Sequence, residues 1–313
     1  MKRQLICLAV AMMALATAFV GCGKDVYVAG KDGYGVTLWK NGKVQSLSDG
    51  NFNAQANSVF VSGSKVYAAG SERGFSLGLV IWKNGTPQRL ADEGGAWSIF
   101  VSGDDVYVAG VEHLKEGGFA TLWKNGEGQR LSDERSDAES VFVLDGDVYV
   151  AGQEGFVATL WKNGVRERLA HLDGNSYACS VFVSGNDVYI AGYGMGDVAT
   201  LWKNGVPQLL AIGGYAYSVF VSGNDVYVAG VESVRGVEEE YKVAVLWKNG
   251  ARLQLSDVRS SANSVYVSGK DVYVAGCEIN AQGNNVAMLW KNGSPRRLSD
   301  GSFNAEAMSV FVK

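Results

Sequence analysis

The tetrapeptide Trp-Lys-Asn-Gly occurs seven times, beginning at Trp39, Trp82, Trp123, Trp161, Trp202, Trp247 and Trp290, at intervals of 43, 41, 38, 41, 45 and 43 residues. A near-constant period of that size marks a repeat architecture, in which one supersecondary unit recurs and buries its faces against its neighbours. The fullest copy of the unit runs from Ala178 to Gly205. Within it, Ser-Val-Phe-Val and Asp-Val-Tyr-Ile-Ala are short runs of β-branched and aromatic residues separated by Ser-Gly-Asn, and Ala-Thr-Leu-Trp follows after a variable gap; these runs read as strands. Asn204-Gly205 supplies two positive-φ positions for a tight hairpin, so the third strand folds back onto a fourth, Val206-Pro207-Gln208-Leu209-Leu210. The unit is a four-stranded antiparallel meander, a–b–c–d.

A sheet of about 40 residues cannot bury its own faces, and about four to eight such sheets close into a propeller around a central channel. The spacing therefore predicts an all-β chain, a seven-bladed β-propeller of four-stranded blades. The ends sharpen the expectation. After the leader the chain starts at a b strand, Asp25-Val26-Tyr27-Val28-Ala29-Gly30, and it stops at an a strand, Ser309-Val310-Phe311-Val312-Lys313. The C-terminal strand is expected to complete the first blade, closing the ring and removing the sheet edges an open array would expose.

The spacings also separate two faces of the disc. From the Ser of strand a to the Gly that ends strand b is 12 residues in all six uninterrupted units, and from the motif Trp to the Leu of strand d is 8 in all seven. The b–c connections vary: 8, 11, 12, 8, 9, 16 and 13 residues lie between that Gly and the next Trp. The d–a connections vary as well. Alternate connections of a meander share an edge, so variation collects on one face, where loops on a rigid scaffold usually do the binding. Each a strand is entered through Ala-x-Ser, with x equal to Asn57, Trp97, Glu139, Cys179, Tyr217, Asn263 and Met308. If strand a is innermost, these residues ring the mouth of the channel. Asn57, Trp97, Glu139, Tyr217 and Asn263 are the candidate ligand-binding set, beside the longest b–c segment, 230–247, and suited to a sugar or peptide. The alternative is that x is a tolerant packing position.

Other residues read more plainly. The seven motif tryptophans share one structural job in the core, and the Asn-Gly pairs are expected to be turn chemistry alone. Glycine, at 41 residues, is about twice its usual ~7% share; the copies closing Val-Tyr-Val-Ala-Gly and Trp-Lys-Asn-Gly are expected to serve turns. His113 and His171 lack metal-ligand spacing, and Asp137, Asp173, Glu232, Glu238, Glu239 and Glu240 read as solvated loop acids, so no metal site and no cofactor are expected. Cys179 and Cys277 fall in different blades and are not expected to bridge.

Lys2 and Arg3, the apolar run Leu5–Val20 and Gly21-Cys22 read as a signal peptide over 1–21, followed by a lipid-anchored N-terminus at 22–24 and the propeller from 25 to 313. Phe19-Val20-Gly21-Cys22 resembles a bacterial lipobox, with Phe19 in place of the usual leucine; the resemblance implies lipidation of Cys22, with plain secretion as the alternative. Loss of the leader removes two positive charges from a chain of net charge −4, leaving −6. That charge disfavours nucleic acid, and a membrane surface except through the lipid.

With these motifs together, the chain resembles bacterial lipoproteins built of VYVAG…LWKNG tandem repeats, which implies residence at the bacterial cell envelope, at the outer membrane or cell surface or on the periplasmic side. It shares overall plan, but no motif, with propeller lipoproteins that scaffold outer-membrane protein assembly. The Gly-His and Trp-Asp signatures of WD repeats and the Asp-box of sialidases do not occur, and the paired glycines of kelch do not recur within the repeat. The leading expectation is a monomeric, non-enzymatic module binding a glycan, a peptide or an envelope protein. The alternatives are an envelope glycan hydrolase or lyase, which needs a second carboxylate or a Tyr/His pair near Glu139, and an assembly scaffold.

Overall fold

The computed structural model describes residues 23–47, 54–73, 77–169, 174–236 and 239–313; the leader, Cys22, His171, Asp173 and Glu238 lie outside them. Among these residues 28 strands form seven four-stranded antiparallel sheets. Six run a–b–c–d in chain order, and the seventh is ordered Ala305–Val312, Val26–Asp32, Gly35–Lys40, Lys43–Ser46. Val26 lies opposite Val312 and Val28 opposite Val310, so the last strand completes the first blade. Blades are numbered 1 to 7 by their motif tryptophan. Each a strand contacts the a strands on either side and the circle closes between Ala305–Val312 and Ala54–Ser62, which puts strand a at the axis. The d strands form the rim, with side chains exposed throughout Glu127–Arg130, Val165–Arg168 and Ser294–Arg297.

Strands b and c are buried on both faces because each blade is sandwiched between two others. The seven hydrophobic clusters accordingly lie between blades. One joins Tyr149, Ala151, Ala158 and Leu160 of blade 4 to Ala178, Val181, Ile190 and Trp202 of blade 5. All seven motif tryptophans are at most 2% exposed, as their common position requires.

The c–d turn obeys the expected chemistry: the Asn residues have φ between 51° and 54° and the following Gly between 76° and 92°. The asparagine does more than turn the chain. In all seven blades its Oδ1 accepts a hydrogen bond from the first Val N–H of strand b, at 2.8–2.9 Å. In six, its Nδ2 donates to the Asp before that Val, and the motif Lys reaches the same carboxylate at 2.7–2.9 Å. The Lys bond first and the Asn bond second hold these Asp carboxyls below their ordinary range. Blade 2 departs from the pattern: Lys65 stands where the others carry Asp, and Lys83 lies 5.7 Å above the Tyr67 ring.

The glycine that closes Val-Tyr-Val-Ala-Gly is a strand residue, contrary to the turn role expected of it. At Gly152 an added methyl would overlap the backbone oxygen of Asp137 in strand a, and the same overlap with the facing a strand recurs at Gly30, Gly70, Gly110, Gly192, Gly230 and Gly276. The cause is a β-bulge in strand a, described next.

Candidate functional site at the channel mouth

Every a strand breaks register between the Ala and Ser of Ala-x-Ser, so that two residues oppose one on strand b. A bulge leaves one residue unpaired and re-aims its side chain. Residue x is that residue. It frees x from the alternation that buries the flanking Ala and Val, and Asn57, Trp97, Glu139, Cys179, Tyr217, Asn263 and Met308 are all half-buried around the mouth. Below them two seven-fold rings fix the axis. The backbone N–H of the residue after the Ser of Ala-x-Ser, Val in six blades and Ile99 in the other, donates to the Ser Oγ of the preceding blade at 3.1–3.2 Å. Phe60, Phe100, Phe142, Phe182, Phe220, Tyr266 and Phe311 form a collar with neighbouring centroids 4.7–5.0 Å apart.

The candidate residues fall into two arcs. In one, Asn57 Nδ2 donates to the Ala96 carbonyl of the next blade at 2.9 Å, and Asn263 Nδ2 donates to that of Ala307 at 3.0 Å. Each amide oxygen accepts from the residue two positions earlier: Gln55 Nε2 at 2.7 Å and Ser261 Oγ at 2.5 Å. These are donor relays linking blade to blade. Asn263 also lines an open basin of about 940 Å³, with Asp197, Tyr241, Lys242, Ser261, Cys277, Glu306 and Met308 among its walls. Its Tyr241 and Lys242 come from the long 230–247 segment. Asn57, Trp97, Glu139 and Tyr217 are not among the basin's walls.

The other arc holds Trp97, Glu139, Cys179 and Tyr217. Trp97 folds back over Gly95 of its own strand, and its Nε1 is buried with no partner in the structure. Burial first, then the charge of Asp137, pushes the Glu139 carboxyl up to about 7. Burial also raises Asp137, with His113 pulling the other way. The Cys179 thiol and the Tyr193 and Tyr217 hydroxyls are likewise raised by burial. Asp137, within Ser136–Leu144, Glu232, within Asp225–Arg235, and Glu240, the first residue of Glu240–Lys248, are strand residues and not the loop acids expected.

Three residues missed in the sequence complete this arc. Tyr177 and Tyr193 stack at 5.2 Å, Tyr193 meets Tyr215 at 4.6 Å and Tyr215 meets Tyr217 at 6.0 Å, giving a continuous tyrosine wall. At its end Lys242 sits 4.4 Å above the Tyr215 ring and 2.8 Å from Asp197. The signal was present: the residue two before x also changes from blade to blade, as Gln55, Gly95, Asp137, Tyr177, Tyr215, Ser261 and Glu306. Period two places it on the same side as x. Cys179 and Cys277 are free thiols. Among the described residues no group of three or more His, Cys, Asp or Glu is placed to hold a metal ion.

No known protein-family model matches the chain, and no curated protein sequence does. Solved structures share its fold. A puromycin-hydrolyzing peptidase of Mycobacterium tuberculosis superimposes with a TM-score of 0.53 at 11% identity, over 87% of this chain and 53% of that one. The acylaminoacyl peptidase of Pyrococcus horikoshii gives 0.53 at 14%, over 89% and 51%. TolB from Acinetobacter baumannii gives 0.49 at 11%, over 75% and 64%. The chain therefore spans between about half and two-thirds of those proteins' lengths. At such identities the likeness is one of fold alone.

Proposed function

We propose that this protein is a non-enzymatic binding module of the bacterial cell envelope, anchored through a lipidated Cys22, and that it takes a glycan or peptide at the channel mouth on its variable face. The observation that carries this reading is the contrast between the two faces. One repeats the same Lys–Asp–Asn network in six blades, whereas the other presents six kinds of side chain in seven identical bulges beside a 940 Å³ basin. A rigid ring whose side chains and loop lengths vary most at one mouth is suited to recognition.

Glycoside hydrolysis is the weaker reading. It needs two carboxyls flanking the scissile bond, about 5–9 Å apart. Asp137 and Glu139 are neighbours on one strand and approach a substrate from one side.

The test is a glycan and peptide array probed with the purified protein, followed by Trp97→Ala, Tyr217→Ala and, on the opposite face, Lys124→Ala. Loss of a hit in the first two with Lys124→Ala unaffected supports the reading; equal binding by all three moves the site elsewhere. For the anchor, Cys22→Ser is expected to shift the protein from the membrane to the soluble fraction. A variant that still sediments with membranes overturns the lipid assignment.

A further inference from the structure

Glu139 occupies the same frame as Asn57 and Asn263 with the opposite hydrogen-bonding character. In blades 2 and 7 the frame is a relay: the residue two before x donates to x, and x donates to the next blade's alanine carbonyl. In blade 4 the residue two before x is Asp137, x is Glu139, and the facing alanine is Ala178. Ionised carboxylates only accept. Blade 4 thus sets three acceptors in a row where blades 2 and 7 alternate donor and acceptor, and among the described residues Glu139 has no hydrogen-bond partner. Glu139 is half-buried, so its carboxylate lacks a protein donor yet is open to one from the channel, and a donor-rich cation supplies it.

The surroundings suit the same partner. The tyrosine wall starts beside this pair: Glu139 is coupled electrostatically to Tyr177, Tyr193 and Cys179. Aromatic faces attract ammonium groups, the more so when desolvated. The far end of the wall already shows the arrangement, since the Lys242 ammonium is held between the Asp197 carboxylate and the Tyr215 ring.

We propose that the channel mouth binds a protonated primary amine, whose N–H groups donate to Asp137 and Glu139 while its charge lies against the tyrosines of blades 5 and 6. This rests on the variable face being the binding face, and it names the chemical class of ligand there. A primary amine is favoured over a quaternary one because the two carboxyls need donors as well as charge. The groups facing Glu139 are Asp137, Cys179, Tyr177 and Tyr193, with His113 acting through Asp137. With the carboxyl of Glu139 at about 7 and an alkylamine charged to about pH 10, binding strengthens as pH rises through neutrality.

The experiment is ligand-observed NMR titration of the full protein with n-butylammonium, with tetramethylammonium as the donor-free cation. Glucosamine and Nα-acetyl-lysinamide distinguish an amino sugar from a peptide side chain as the source of the amine. Saturable n-butylammonium binding at about pH 8 is expected, weakened at least about tenfold near pH 5.5 and at least about tenfold by Glu139→Gln, with tetramethylammonium weaker than n-butylammonium. Absence of amine binding, or equal binding by Glu139→Gln in a variant whose circular dichroism matches the parent, overturns the proposal. A neutral array ligand lost in Tyr217→Ala but retained in Glu139→Gln, with no amine bound, leaves the binding-module reading standing and removes this one.

Discussion

Replacing Glu139 by Gln is expected to stabilise the protein at alkaline pH and to leave it unchanged in acid. The folded state holds the Glu139 carboxyl at about 7, against an ordinary value of 4.5. The native state therefore binds this proton more tightly than the unfolded chain does, and the group's contribution to stability falls as pH rises from about 4.5 to about 7. At ~1.4 kcal/mol per unit the full shift corresponds to a ceiling of about 3 kcal/mol. The side chain is only half-buried, so about 1–2 kcal/mol is the working expectation. Glutamine cannot ionise, and it brings an amide donor of the kind by which Asn57 and Asn263 reach the next blade's carbonyl. Urea unfolding followed by circular dichroism, at about pH 4.5 and pH 8, measures the difference. The carboxylates of the Lys–Asp–Asn networks, whose stabilising effect is lost in acid, are common to both proteins and cancel. A variant no more stable than the parent at pH 8, or more stable by the same amount at both pH values, would refute the reasoning.

Trp202→Ala is expected to cost about 3–5 kcal/mol, because the indole fills the layer between blades 4 and 5; wild-type stability by denaturant titration would contradict that packing role. Gly152→Ala forces a methyl against the Asp137 carbonyl and should cost at least about 1–3 kcal/mol, measured as a fall in urea midpoint, whereas Gly146→Ala, with open space around it, carries only the strain of its turn and should cost less. Removing residues 308–313 strips blade 1 of most of its inner strand and is expected to lower Tm sharply in a thermal melt; an unchanged Tm would show that the ring does not depend on this pairing.

The repeat period, the strand patterns and the two ends of the chain determined the architecture, because each is local: a hairpin turn needs Asn-Gly, a doubly sandwiched strand needs apolar residues on both sides, and a missing strand at one end is visible as a surplus strand at the other. The same local reading located x as the residue that changes. It was silent on the bulge, since a one-residue register slip depends on how strand a meets strand b, and the glycine facing it looks like any turn glycine. The continuous tyrosine wall was equally hidden. Tyr177, Tyr193, Tyr215 and Tyr217 come from strands of two blades, and only the stacking of one blade on the next brings their rings to 4.6–6.0 Å of one another. The character of Glu139 was settled in the same way. An acid in an Ala-x-Ser frame is an ordinary residue by sequence; the blade stacking sets it, beside Asp137 of its own strand, against the tyrosines of the next blade, and burial there does the rest.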